Sequence, residues 1–126
     1  MKRSGYHLHQ PNRNNFMRSA IFGAQPRTIL LTRHSGALQW LRNKLGANPS
    51  FEMLGHLDGV PLQRNDRVYG TFPMHLAARL CDAGVECWMI DFSVPIQLRG
   101  VELTAEQLDL LNAKLVRYHV QRIEYV

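Results

Sequence analysis

The chain predicts an α/β domain in which helices cover a small, mostly parallel sheet. Three observations carry that expectation. Short apolar, β-branched runs recur along residues 28–126, most of them running directly into a segment with helical spacing of its apolar residues. Glycine and proline mark the ends of these segments. Strands alternating with helices place parallel strands side by side, because each crossover returns the chain to the same end of the sheet.

Thr28-Ile29-Leu30-Leu31-Thr32 is a continuous apolar run of the kind buried on both faces of a parallel sheet. Leu38, Leu41 and Leu45 follow at helical spacing, and Gly46 stops that helix. Phe51 to Leu57, after Pro49, reads as a second strand, and Arg67 to Thr71 as a third. Pro73 suits a first helical turn, Leu76, Ala77 and Leu80 give that helix its inner face, and Gly84 ends it. Val85 to Phe92 reads as a fourth strand, and Ser93–Val101 as a loop. Thr104 and Gln107 form a capping box, with Leu103 and Leu108 as its hydrophobic staple. Leu108, Leu111 and Leu115 then predict the stripe of a last helix, and His119–Val126 a short final strand.

At 126 residues the chain is long enough for one core and too short for two. Its apolar fraction, 45%, is ordinary for a globular protein, and no apolar run approaches a membrane span. The net charge of +5 is unevenly placed. Lys2, Arg3, Arg13, Arg18 and Arg27 are the basic residues of 1–27, which hold no acidic one; residues 28–126 carry ten of each sign. Residues 1–26 therefore read as a basic, poorly ordered extension, and 27–126 as the single domain. The arm lacks the apolar stretch of a secretory signal; it fits a transit peptide weakly, and an over-long start with Met17 as the first residue fits as well. Cys81 and Cys87 lack metal-site spacing and sit in apolar surroundings, which predicts reduced, buried thiols in a cytoplasmic protein.

With strand order 2-1-3-4 the chain reverses direction between strands one and three, and ligands of open α/β sheets bind outside the carboxyl ends at that point. Two junctions leave those strands: Thr32-Arg33-His34-Ser35-Gly36-Ala37 and Gly70-Thr71-Phe72-Pro73-Met74-His75. N–H groups at a helix start hold anions, and a guanidinium beside them strengthens the site. A phosphate-bearing ligand is the expectation. Arg33 would bind it, and His34 and His75 would move protons or contact it; the helix dipole at His75 favours a neutral imidazole. Ser35 either caps its helix or touches the ligand. Thr71 is an N-cap or a ligand contact, and Gly70 a tight turn or a close approach. Arg99 and Gly100, in the loop after strand four, can reach the same crevice. His56 beside Asp58 reads as a loop-entry pair rather than a relay. Trp40 and Trp88 read as core or subunit contacts, and His7 and His9 as parts of the extension. Neither a zinc-protease motif, a P-loop nor a dinucleotide glycine fingerprint is present. The expectation is thus of no metal and no cofactor.

Three runs resemble a family. Leu31 to Leu41 (LTRHSGALQWL), Tyr69 to Ala78 (YGTFPMHLAA) and Leu98 to Thr104 (LRGVELT) look like the signatures, in order, of small standalone CRISPR-associated proteins found with type III systems. The likeness spans residues 28 to about 118 and leaves the basic arm unmatched. It implies a Rossmann-like domain related to the CARF domains that sense cyclic oligoadenylates, acting as a homodimer. It further implies a ring nuclease that degrades cyclic tetra-adenylate and so switches off antiviral signalling. The resemblance assigns no residue its role; from their chemistry at the two junctions, His34, His75 and Arg33 would be catalytic for such a reaction, and Thr32, Ser35, Gly36, Gly70, Thr71, Phe72 and Arg99 would bind the ligand. Rivals are a sponge that sequesters the messenger uncut, and a phosphomonoesterase of the histidine phosphatase class, whose Arg-His-Gly signature Thr32-Arg33-His34 echoes with Ser35 intervening. The basic arm could also contact RNA, with salt-sensitive affinity. No membrane partner is expected.

Overall fold

The computed structural model describes residues 26–46 and 62–126, and the backbone of residues 51–54. The basic arm and the His56–Asp58 pair lie outside the described residues. The elements run β1 (Thr28–Thr32), α1 (Ser35–Leu45), β2 (Phe51–Leu54), β3 (Arg67–Gly70), α2 (Met74–Asp82), β4 (Glu86–Asp91), a 3-10 turn (Ile96–Leu98), α3 (Ala105–Leu110) and β5 (Lys114–Tyr118). They form one five-stranded sheet of order β2-β1-β3-β4-β5. The first four strands are mutually parallel, and β5 pairs antiparallel with β4 along Cys87–Tyr118 to Asp91–Lys114. This is a small Rossmann-like sheet flanked by helices, and the expected order 2-1-3-4 stands with β5 added at its edge.

Successive residues of a strand point to opposite faces, and that alternation divides the interior in two. Leu30, Tyr69 and Ile90 face α1 and α3, where Leu38, Trp40, Leu41 and Leu108 close the larger core. Ile29, Leu31, Val68 and Cys87 face α2, with Ala77 and Leu80 against them. Trp40 is 1% exposed, and its indole N–H donates to Asp109 at 2.8 Å, tying α1 to α3. Trp88 stacks on Tyr69 with ring centroids 5.7 Å apart. Asp66 is the one buried acid among the described residues, at 2% exposure. It pairs with the Arg27 guanidinium and accepts the Gln63 N–H, fixing the starts of β1 and β3 together.

Several boundaries differ from the sequence reading. The last helix ends at Leu110, because Asn112 takes a left-handed conformation (φ 59°) and turns the chain. Leu115 therefore belongs to β5, and the final strand is Lys114–Tyr118 rather than His119–Val126. β4 is shorter by a residue at each end than Val85–Phe92. His34, not Ser35, occupies the N-cap of α1, and no side chain caps that helix. Pro73 stands one place earlier than a first-turn proline, its carbonyl accepting from Leu76 and Ala77. Gly46 closes α1 as expected, at φ 69°. The capping box of α3 is present in both directions, Gln107 N–H to Thr104 Oγ1 and Thr104 N–H to Gln107 Oε1. Only Cys87 of the two thiols is fully buried; Cys81 is half-buried.

Candidate functional site

β1 and β3 are neighbours whose following helices pass to opposite faces of the sheet, so a crevice opens at their carboxyl ends. The two junctions are joined at its floor. Thr32 and Thr71 share a hydroxyl hydrogen bond of 2.7 Å, and the Thr71 N–H donates to the Leu31 carbonyl. Thr32 is fully buried, and its Oγ1 also accepts the His34 N–H at 3.2 Å. Thr71 thus acts as a clasp between strands rather than as a helix cap.

Two glycines permit this closeness. A Cβ at Gly70 would stand 1.7 Å from the Leu31 carbonyl oxygen, and one at Gly36 would stand 1.9 Å from that of Leu103. Gly70 lets β3 end flush against β1. Gly36 lets the first turn of α1 press on the segment leading into α3.

A cavity of about 460 Å³ sits here. His34, Ala37 and Thr71 line it from the two junctions, and Phe92, Val94, Leu98, Arg99, Gly100, Val101, Leu103 and Leu108 complete it from the strand-four side. It has the size of a pocket for one nucleotide-sized ligand, mostly apolar with a few convergent polar groups. The His34 ring reaches across the opening to Glu102, its Nδ1 3.1 Å from both carboxylate oxygens. Both side chains are more than half exposed, 56% and 59%, so the pair adds little to stability. Its consequence is orientational. A carboxylate accepting from Nδ1–H selects that tautomer of the neutral ring and leaves Nε2 with a lone pair. Arg99 is exposed at the rim, and its side chain has no hydrogen bond or ion pair among the described residues.

Of the residues singled out from sequence, the cavity gathers His34, Thr71, Arg99 and Gly100. Thr32, Gly36 and Gly70 form its framework. Arg33 and Ser35 are exposed beside it, outside its lining. Phe72 turns to the other face of the sheet and packs against the α2 core. His75 is exposed on the first turn of α2, also outside the lining. Glu102 and the apolar residues from Phe92 to Leu103 were not anticipated. Glu102 lies one residue beyond the loop read from the sequence, inside the third of the three signature runs, where its pairing with a residue 68 positions away has no local signal.

Among the described residues, no three His, Cys, Asp or Glu side chains converge as metal donors, and no helix is long and apolar enough to cross a membrane. No curated protein and no solved structure matches the chain significantly. Residues 29–121 match the family described as "Putative CRISPR-associated protein (Cas_VVA1548)", a span that takes in both junctions, Glu102 and all of the sheet but Thr28, and the chain belongs to that CRISPR-associated family.

Proposed function

We propose that the protein is a ring nuclease of type III CRISPR systems, binding cyclic tetra-adenylate at this crevice and cleaving it in the cytoplasm without a metal. The observation that carries the reading is the convergence of an oriented imidazole, a guanidinium unpaired among the described residues and a helix start on one nucleotide-sized cavity at the switch point. Each ring phosphodiester has a 2′-hydroxyl beside it. His34 Nε2 takes the 2′ proton, the 2′ oxygen attacks phosphorus, and the bond to the 5′ oxygen breaks. That oxygen takes a proton from solvent water and becomes a 5′-hydroxyl, while His34 returns the 2′ proton to solvent, leaving a 2′,3′-cyclic phosphate. Arg99 and Arg33, with the N–H groups opening α1, meet the charge that builds on the non-bridging oxygens.

A four-nucleotide ring overflows a cavity of this size. Two copies related by a two-fold axis would present it with two such sites, which suits the ring's own symmetry. Two cuts across the ring then give linear di-adenylate. The apolar lining from Phe92 to Leu103 also suits a sponge, since it can hold a base without any chemistry.

The test is incubation of the purified protein with cyclic tetra-adenylate in EDTA, with products separated by chromatography and the mass of the complex taken by sedimentation. Conversion to di-adenylate by a dimer is the expected result. Tight binding of an uncut ring establishes the sponge instead, and absence of binding removes both readings.

A further inference from the structure

A second cavity, of about 360 Å³, lies at the opposite end of the sheet, beside the amino ends of β3 and β4 and the carboxyl end of β5. Its lining differs in kind from the first. Arg64, Arg117 and His119 bring nitrogen donors to it, and Glu86 is its one acid. The Glu86 carboxylate is already flanked by two guanidiniums, Arg67 Nε at 3.5 Å and Arg117 Nη1 at 3.8 Å. The balance of charge around the cavity is therefore positive.

Arg64 supplies the independent observation. Its Nε is shut off from solvent and has no hydrogen-bond partner among the described residues. The side chain lies across Gly84, whose missing Cβ would stand 3.2 Å from Arg64 Cγ and 3.3 Å from Nε. Gly84 sits at φ 83°, so this turn both needs a glycine and leaves a bare backbone for the arginine stem to lie on. A guanidinium donor withheld from water and given no acceptor among the described residues is costly, and such groups call for a specific explanation.

We propose that this cavity is an anion site, taking a phosphate dianion, free or as the terminal phosphate of a nucleotide. Arg64 is its principal ligand, Arg117 its second and His119 a donor at the rim. A tetrahedral oxyanion accepts two N–H groups from one guanidinium, and a small outward turn of the Arg64 side chain off Gly84 would give its Nε the acceptor it lacks among the described residues. Glu86 restrains the site. It holds Arg117 in place at the wall, and it selects against deeper anionic groups. The site is separate from the His34 crevice and does not rest on the function proposed for that crevice.

The experiment is an NMR titration of the isotopically labelled full chain with sodium phosphate, with AMP, and with sodium chloride at matched ionic strength. Saturable shifts at the Gly84 and His119 amides and at the Arg64 Nε–H are expected with phosphate or AMP and not with chloride. Response to AMP alone assigns the site to nucleotide phosphates; response to both assigns it to the phosphate group itself. Arg64→Gln should weaken the affinity at least about tenfold and Arg117→Gln less, with the dispersed sheet amides confirming that each variant is folded. If Arg64→Gln does not fold, the Arg117→Gln and His119→Gln variants carry the comparison. Shifts confined to His34 and Gly36 report the other crevice and overturn this proposal. So do shifts that chloride reproduces, or an affinity unchanged in the folded variants.

Discussion

The most consequential single contact in the candidate site is between two exposed side chains, His34 and Glu102. An exposed pair of this kind contributes at most a few tenths of a kcal/mol to folding, so its removal tests orientation rather than stability. On the proposed chemistry, Glu102→Gln should leave cyclic tetra-adenylate binding within about twofold and slow turnover about tenfold. Glu102→Asp should recover part of the loss. Unchanged turnover in Glu102→Gln would remove Glu102 from the mechanism. The buried acid, Asp66, shows the opposite case. It is 2% exposed and bound to the Arg27 guanidinium and two backbone N–H groups, and its work is to hold strand starts in register.

At the scale of elements, the crevice depends on how closely β1, β3 and the start of α1 approach. Gly70→Ala would drive a methyl into the Leu31 carbonyl oxygen, and β3 would have to leave β1 to relieve it. A loss of about 3 kcal/mol or more is expected, read from the urea midpoint, together with loss of the Thr32–Thr71 clasp. A near-neutral midpoint would show that the junction is more compliant than its geometry implies. The capping box of α3 is a gentler test. Thr104→Ala removes one of its two reciprocal bonds and should lower stability by about 1 kcal/mol, with α3 fraying first in amide exchange. α3 has only six residues, so most of its stability comes from Ala105 and Leu108 against α1 rather than from helix propensity.

The molecule as a whole should lose stability in alkali. Burial, reinforced by the neighbouring Cys81, pushes the Cys87 thiol from its ordinary value of 9.0 up to about 12, and burial also raises Tyr69. The unfolded chain therefore gives up these protons before the folded one does. Their contribution is complete below about pH 9 and drains away as pH climbs toward 12. Urea midpoints measured from neutral pH to about pH 11 should fall with pH in the parent chain, and less steeply in Cys87→Val. A parallel decline in both would place the alkaline sensitivity elsewhere.

What the sequence determined by itself was local in origin. Apolar runs of strand length, helical spacing at Leu38, Leu41 and Leu45, the stop at Gly46 and the capping box at Thr104 are each written within a dozen residues, and the parallel order around β1 and β3 follows from their alternation. Where two local signals competed, as at Leu111–Leu115, leucine spacing suggested a helix. Asn112 and the pairing of β5 with β4 decided otherwise. That a cavity opens at the switch point was legible for the same topological reason, and with it the placement of His34, Thr71 and Arg99 on its wall. Only the tertiary structure could decide which neighbours of those residues share the cavity. Helices leaving β1 and β3 take opposite faces, which carries Phe72 away to the α2 core while Glu102 arrives from 68 residues along the chain. Contacts across that distance are set by packing of the whole sheet, and no local pattern of residues encodes them.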